Sequence, residues 1–353
     1  MKLNLNCPIN QTSYGYVSSY FMRGLSNLGW DLRHIPIGPN QPDSNFHLAV
    51  NTTIDRNAGC LRIWHQHDLF PFYGKGLQIG MPIFELESFS KIERHSLANP
   101  DHLFVCSEWA KRVILNNLPR NEDEVHVIPL GFDPTIFYPK TIKHATTIFG
   151  NFGKFEVRKG HDVLVDIFNL AFSQDDDVAL VMMPHNFFLN QEETDWWVNK
   201  YKSSKLGNKI ELIGRLPTQV DVAHVMSQID CGIFPSRAEG WNLEALELLA
   251  MGKHLIITDC TAHTEYCDDK NSMLVEMSSG YERAADNKFF SGEHEWRSIG
   301  KNEIDQMVEY MRRIHRLNQE GNLGENKLGI ESVQKYTWDS VSKIMSDKLC
   351  SLL

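Results

Sequence analysis

PSRAEGWNLEALELLAMGKHLIITD (residues 235–259) sets a short polar loop between a strand and a helix, then returns to a second strand. The first strand ends at Phe234–Pro235. The helix is predicted to begin near Trp241 and to carry Leu243, Leu246, Leu249 and Ala250 toward the core. A helix that starts from the carboxyl end of a strand offers unpaired N–H groups and the positive end of its dipole. Such a helix start binds phosphate, and it lies where open α/β sheets hold their ligands. Glu239 precedes the helix and Glu247 follows eight residues later. If every step between them were helical, the rise would be roughly 12 Å. Two carboxylates so spaced can flank a diphosphate, one toward a sugar and one toward a ribose. The plainer reading is a capping Glu239 and a solvated Glu247.

Working outward, the same grammar repeats. Apolar runs at LNLNC (3–7), DLRHIPI (31–37), HLAVN (47–51), LRIWH (61–65), LQIGM (77–81), HLFVC (102–106) and EVHVIPL (124–130) read as strands. A second series follows at 146–152, 177–184, 209–214, 230–236, 254–259 and 272–276. Strands alternating with helical segments predict parallel sheets covered on both faces, here in two domains. Pro129, Pro134 and Pro139 punctuate the joint. Segments 107–118, opened by Ser107, and 160–172 have helical periodicity, and YTWDSVSKIMSDKLCSLL predicts a last amphipathic helix.

Three further clusters carry chemistry. FGNFGKFEVRKGHDVL (149–164) runs strand, glycine-bearing loop, cations, helix, an arrangement suited to clamping an anion through Lys154, Arg158 and Lys159. PINQTSYGYVSSYFMRGLSNLGW (8–30) again runs strand, small-residue loop, helix, with Gly15 between Tyr14 and Tyr16. RIWHQHDLF (62–70) brings His65 and His67 to a strand end, and spacing does not choose between them. No third ligand lies near this pair to complete a zinc site. PIFELESF (82–89) ends a strand with Glu85 and Glu87 and reads as an acceptor-facing or plain surface loop.

Composition sets limits. The 353 residues suit two domains. The formal charge of −10 opposes nucleic acid and anionic membranes except through a local basic patch. Seven scattered cysteines without a C-x-x-C pair read as reduced thiols of a cytoplasmic protein. No secretory signal is read at the N-terminus, and no run of about 18 apolar residues occurs.

EGWNLEALE (239–247) resembles the E-x7-E motif of retaining glycosyltransferase family four, usually EGFGLPxLEAMA, and AMGK (250–253) and TEY (264–266) continue the pattern. The family's G-R-x4-K-G loop is similar to Gly153–Gly160, with Lys159–Gly160 matching and Lys154 in the arginine position. VHVIPLGFDPTIFYP (125–139) resembles its interdomain stretch. The resemblance implies a GT-B fold of two Rossmann-like domains: an acceptor domain over 1–140, a donor domain over 141–335, and a helix over 336–353 packing back on the first. It places the active site in the cleft between them.

By the same resemblance Glu239 faces the donor sugar, Glu247 binds the ribose, and Gly240, Trp241, Asn242 and Leu243 meet the pyrophosphate. Asn242 stands where a glycine is usual. Lys154, Arg158 and Lys159 neutralise the diphosphate beside Gly153, Gly214 and Arg215 of LIGRLP (212–217) read the nucleobase, and His65 or His67 approaches the sugar. Tyr14, Gly15 and Tyr16 form the phosphate or acceptor loop. The implied reaction is transfer, with retention, from a UDP- or GDP-linked sugar to a hydroxyl acceptor. No D-x-D sits at a strand end, and fixed cations with a helix start can receive the departing charge, so no metal or other cofactor is expected. Other readings are a sugar phosphorylase or epimerase of the same fold, an enzyme glycosylating a modified base in DNA, and a non-catalytic nucleotide-sugar binding module.

Overall fold

The computed structural model describes residues 1–41, 51–140, 142, 144–286 and 288–353. The chain divides into two compact units, Met1–Asp133 with Lys335–Leu353, and Pro134–Gln334. The division falls a few residues before the boundary expected at residue 140, at the second proline of the joint.

The first unit runs β1 (Lys2–Cys7), α1 (Ser13–Asn27), β2 (Asp31–Pro36), β3 (Gly59–Ile63) and β4 (Gln78–Met81). It continues with α2 (Lys91–Leu97), β5 (His102–Val105), α3 (Glu108–Asn117) and β6 (Val125–Val127). Its strands pair in parallel in the order β2-β1-β3-β4-β5-β6. β1 is buried from its second residue and β3 throughout, as a sheet covered on both faces requires. Most of the expected HLAVN strand lies outside the described residues; Asn51 alone is seen, bridging Arg33. Because β2 and β3 lie on opposite sides of β1, the loops leaving β1 and β3 border a crevice at their carboxyl ends.

The second unit repeats the plan with β7 (Thr147–Asn151), α4 (His161–Ala171), β8 (Val178–Met182), α5 (Gln191–Lys202) and β9 (Ile210–Leu212). There follow α6 (Gln219–Ser227), β10 (Cys231–Phe234), α7 (Leu243–Ala250), β11 (His254–Thr258) and β12 (Met273–Val275). The sheet order is β12-β11-β10-β7-β8-β9, so the winding reverses between β7 and β10. An antiparallel hairpin, β13 (Tyr281–Ala285) and β14 (Ser291–Arg297), precedes α8 (Lys301–Gln319) and α9 (Lys327–Val333). The sequence reading missed this hairpin. Its strands are rich in charge, and only Ala284 and Trp296 among their larger apolar side chains are fully buried.

The last helix, α10 (Trp338–Leu352), belongs to the first unit. Trp338 stacks on Tyr20 with centroids 4.8 Å apart and meets Phe21 edge-on at 5.4 Å. Gly131 makes room for it, since a Cβ there would stand 2.8 Å from the Trp338 nitrogen. Trp30 closes the far end by donating its indole N–H to Ser346 at 2.8 Å. Trp338→Ala removes the ring that α1 packs against and is expected to cost about 3–5 kcal/mol. A urea titration that follows the first unit's transition checks this; an unmoved midpoint would show that α10 docks by other contacts.

Candidate active site

The reversal of winding in the second unit puts the loop after β7 beside the loop after β10, and the charged residues of both meet there. Gly160 makes the junction possible. It caps α4 with φ +74°, and a Cβ would lie 1.9 Å from the carbonyl oxygen of Pro235. Only glycine tolerates both the left-handed backbone and that approach. His161, next in line, is buried and locks the β7 loop: its Nε2–H donates to Asn151 Oδ1 at 2.9 Å, and its Nδ1 accepts the Glu156 amide at 3.1 Å. Burial, and then the charge of Lys159, push its pKa down to about 3, so the ring is neutral and its tautomer set by these bonds.

Glu239 sits at the centre, 4% exposed. One carboxylate oxygen accepts from Lys159 Nζ at 2.8 Å and from Ser236 Oγ at 3.0 Å; the other accepts from Arg158 Nη1 at 2.8 Å. Burial alone would raise its pKa, but the charges of Arg158 and Lys159 overcome that and hold it far below the usual carboxylate range. Arg158 also donates to Glu156 and to the Ala238 carbonyl, each at 2.7 Å. Burial works against the charge on Lys159, yet the carboxylates of Glu239 and Glu244 raise its pKa. Removing one member of such a buried set leaves the rest uncompensated, which is why the ion pairs survive in the interior.

Lys154, expected in the anion clamp, enters the cluster through Glu156 rather than through Glu239. Its ammonium pairs with Glu156 at 2.8 Å and lies 5.3 and 4.9 Å from the ring centres of Phe188 and Phe289. Arg158, which the sequence reading treated as a neighbour of Lys159, takes the place beside Glu239. Gly153 lies against the Lys159 stem, where a Cβ would meet Cδ at 2.7 Å.

The helix expected near Trp241 starts two residues later, at Leu243, so the path from Glu239 to Glu247 is only partly helical. Asn242 explains the shift. It adopts φ +73°, a conformation that asparagine reaches more readily than most residues, and its Oδ1 caps the Ala245 amide at 3.2 Å. Glycine's backbone freedom is thereby kept and a cap is added. The Asn242 Nδ2–H donates to His263 Nε2 at 3.0 Å, while His263 Nδ1–H donates to the Thr258 carbonyl at 2.9 Å. Tyr266 contributes its hydroxyl to the carbonyls of Trp241 and Asn242 at 2.8 and 3.0 Å. Gly240 and Trp241 are buried, and Leu243 is half-buried at the open first turn. Glu247 is also buried, and its pKa is raised by desolvation and then by Glu244. The two glutamates therefore differ in direction: the cations beside Glu239 hold its pKa down, while burial and Glu244 push that of Glu247 up.

Gly214 and Arg215 follow β9. Gly214 faces open space, and the Arg215 guanidinium lies 4.4 Å from the centre of the Phe187 ring.

In the first unit the crevice beside β1 gathers a second group. Tyr14 donates its hydroxyl to the Ile83 carbonyl at 2.8 Å, and its ring lies 4.6 Å from His65 and 5.5 Å from Trp64. His67 stacks on His65 at 5.3 Å and is exposed, whereas His65 is half-buried against Tyr14. Gly15 is not in a loop, as the sequence suggested, but in the first turn of α1. It is a close-packing glycine, because a Cβ would stand 2.1 Å from the Asn10 carbonyl oxygen. Tyr16 closes the first turn through its amide to Thr12 at 2.9 Å. Glu85 is half-buried and raises the Tyr14 pKa after burial does, while Glu87 is exposed.

Sequence reasoning passed over Glu156, which holds Arg158, and Ser236, Thr261 and His263, which hold Glu239 and Asn242. A carboxylate two residues from the Arg158–Lys159 pair was the one visible signal. Arg237 was also missed. It grips Asp162 with two bonds of 2.8 Å and pairs with Glu282, which ties the hairpin to the site's floor. Among the described residues no group of three His, Cys, Asp or Glu side chains is arranged to hold a metal, and all seven cysteines are free.

Residues 146–287 match a family described as Glycosyl transferases group 1. No curated protein matches at a significant level. Among solved structures, sucrose-phosphate synthase from Thermosynechococcus elongatus superposes with a TM-score of 0.72 at 15% identity, covering 100% of this chain and 99% of that one. A glycosyltransferase from Rickettsia africae gives 0.70 at 13% identity, covering 99% and 98%. Anabaena HepE in complex with UDP and glucose gives 0.68 at 12% identity, with both chains covered completely. At these identities the likeness shows the fold, the two-unit α/β architecture of GT-B glycosyltransferases.

The buried titrating groups dictate how stability depends on pH. His161, lowered to about 3, and His263, lowered to about 4 by burial, stay neutral in the fold while an unfolded histidine protonates near 6.5. Their contribution is complete above pH 6.5 and drains away as pH falls toward those values. The depressed Glu239 adds loss below its ordinary 4.5. The urea midpoint is therefore expected to fall steadily from pH 6.5 to pH 4, and less steeply in His161→Gln. A flat profile in the parent chain would contradict the assignment.

Proposed function

We propose that this chain transfers a glycosyl group from a nucleotide-sugar to a hydroxyl acceptor, with retention of configuration and without a metal. The observation that carries the reading is the Glu239 carboxylate held by Arg158 and Lys159 beside the first turn of α7. The family match over 146–287 and the architecture shared with HepE support it.

Breaking a glycosidic bond to a nucleotide leaves negative charge on the diphosphate and positive character on the sugar ring. The arrangement meets both. Lys159 uses one of its three N–H bonds on Glu239, and the start of α7 offers N–H groups of which Asn242 caps one. Fixed donors of this kind stabilise a leaving group without reorganisation. The ionised Glu239 stands ready to stabilise the electron-poor sugar. Glu247, one helix turn into α7, is the carboxyl that takes the vicinal ribose hydroxyls. In the first unit Tyr14 and His65 are the groups that meet the acceptor. The donor is UDP- or GDP-linked and the acceptor a glycan, lipid-linked or small-molecule hydroxyl. The free thiols fit a reducing cytoplasm, and no helix among the described residues is long and apolar enough to cross a membrane.

UDP is expected to raise the melting temperature, because a ligand held only by the folded state stabilises it. Glu239→Gln keeps the shape of the buried cluster and should abolish turnover of UDP-glucose while the shift with UDP persists. Lys159→Ala should lower kcat by about 10²–10³-fold, the worth of one transition-state donor. Lys154→Ala, whose ammonium is engaged by Glu156, should cost less than about tenfold by the same measure. EDTA should leave the rate unchanged. Wild-type turnover in Glu239→Gln, or collapse under EDTA, would defeat this mechanism.

A further inference from the structure

We propose that Thr261 is a positioning residue for Glu239, acting through the backbone; the inference rests on the function proposed above. Among the described residues only two non-glycine residues have positive φ, Asn242 and Thr261, and they hold opposite ends of one loop. Asparagine reaches that region at small cost, but a β-branched threonine at φ +51° is strained. Strain of this kind persists where the surrounding contacts require it.

The contacts show what is gained. Thr261 is buried, and its Oγ1 accepts the Glu239 amide at 2.9 Å. The next amide, Ala262 N–H, donates to the Glu239 carbonyl at 3.3 Å. Both polar backbone groups of Glu239 are thus taken by two consecutive residues, and the left-handed turn at Thr261 sets the direction of the second. The same short segment, Thr261–Glu265, also carries His263, which accepts from Asn242, and is followed by Tyr266, which holds the Trp241 and Asn242 carbonyls. The segment after β11 is therefore a strap across residues 239–242. Thr261 fixes the carboxylate end of that strap, while Lys159 and Arg158 fix the side chain. With its backbone loose, Glu239 would follow its two cations and leave the position from which it faces the sugar.

Three variants separate the parts. Thr261→Ser keeps the acceptor oxygen; Thr261→Val keeps the shape and branching without it; Thr261→Gly relieves the backbone but loses the oxygen. With UDP-glucose as probe, Ser should stay within about threefold of wild type, the worth of less than one net hydrogen bond. Val and Gly should lose about 10–100-fold in kcat, the scale of a misplaced catalytic group, while KM and the UDP-induced melting shift stay near wild type. A purely structural role would instead lower the melting temperature and raise KM together. Wild-type kcat in both Val and Gly overturns the proposal, and so does equal loss in Ser and Val. If the wild-type chain turns over no UDP- or GDP-linked sugar, the functional reading fails first. A crystal structure of Thr261→Val then decides: a displaced Glu239 backbone sustains the positioning role, and an unmoved one removes it.

Discussion

A single carboxylate gripped at both oxygens by cations organises the second unit. Glu239 leaves β10, Arg158 and Lys159 leave β7, and the two loops meet because the order of strands reverses between those two. Burying this cluster is costly unless every charge is matched, so the surroundings are built to match it. Glu156 takes the far side of Arg158, Ser236 takes the remaining lone pair beside Lys159, and His161 stays neutral. Gly160 permits the approach that makes the pairing possible. The apolar packing around the cluster could tolerate exchange of similar side chains; the charge geometry could not.

Both units place their chemistry at the same topological position. In the first, the crevice between β1 and β3 collects Tyr14, Trp64 and His65; in the second, the crevice between β7 and β10 collects the ion pairs. The difference lies in what fills them. The first is aromatic, with its tyrosine hydroxyl bonded to a carbonyl and Arg62 at the end of β3 paired with Asp68. The second is dense in fixed charge.

The alternation of strands and helices was legible because buried parallel strands are continuous apolar runs, and nearly every described strand of both sheets falls within one. Glu239 and the cations before α4 stood out because charged residues beside a strand end and a helix start are few. What stayed hidden depended on geometry. Lys154 and Arg158 are both cations four residues apart, and only the fold shows which one turns toward Glu239. Gly15 looked like loop freedom and proved to be close packing. The hairpin at 281–297 was missed because charged, alternating strands resemble a solvated linker. Thr261 and His263 carry no signal by type; a threonine's dihedral angle is invisible in its letter.

Asn242 shows what a pattern written in letters leaves out. The turn before α7 asks for a dihedral angle, and asparagine supplies it along with a hook for the helix and a handle for His263. The position is thereby better anchored than a glycine would leave it, and less free to rearrange. A chain that adopts this solution gives up plasticity in that turn and is committed there to one backbone path, since any rearrangement would have to break the cap and the histidine contact together.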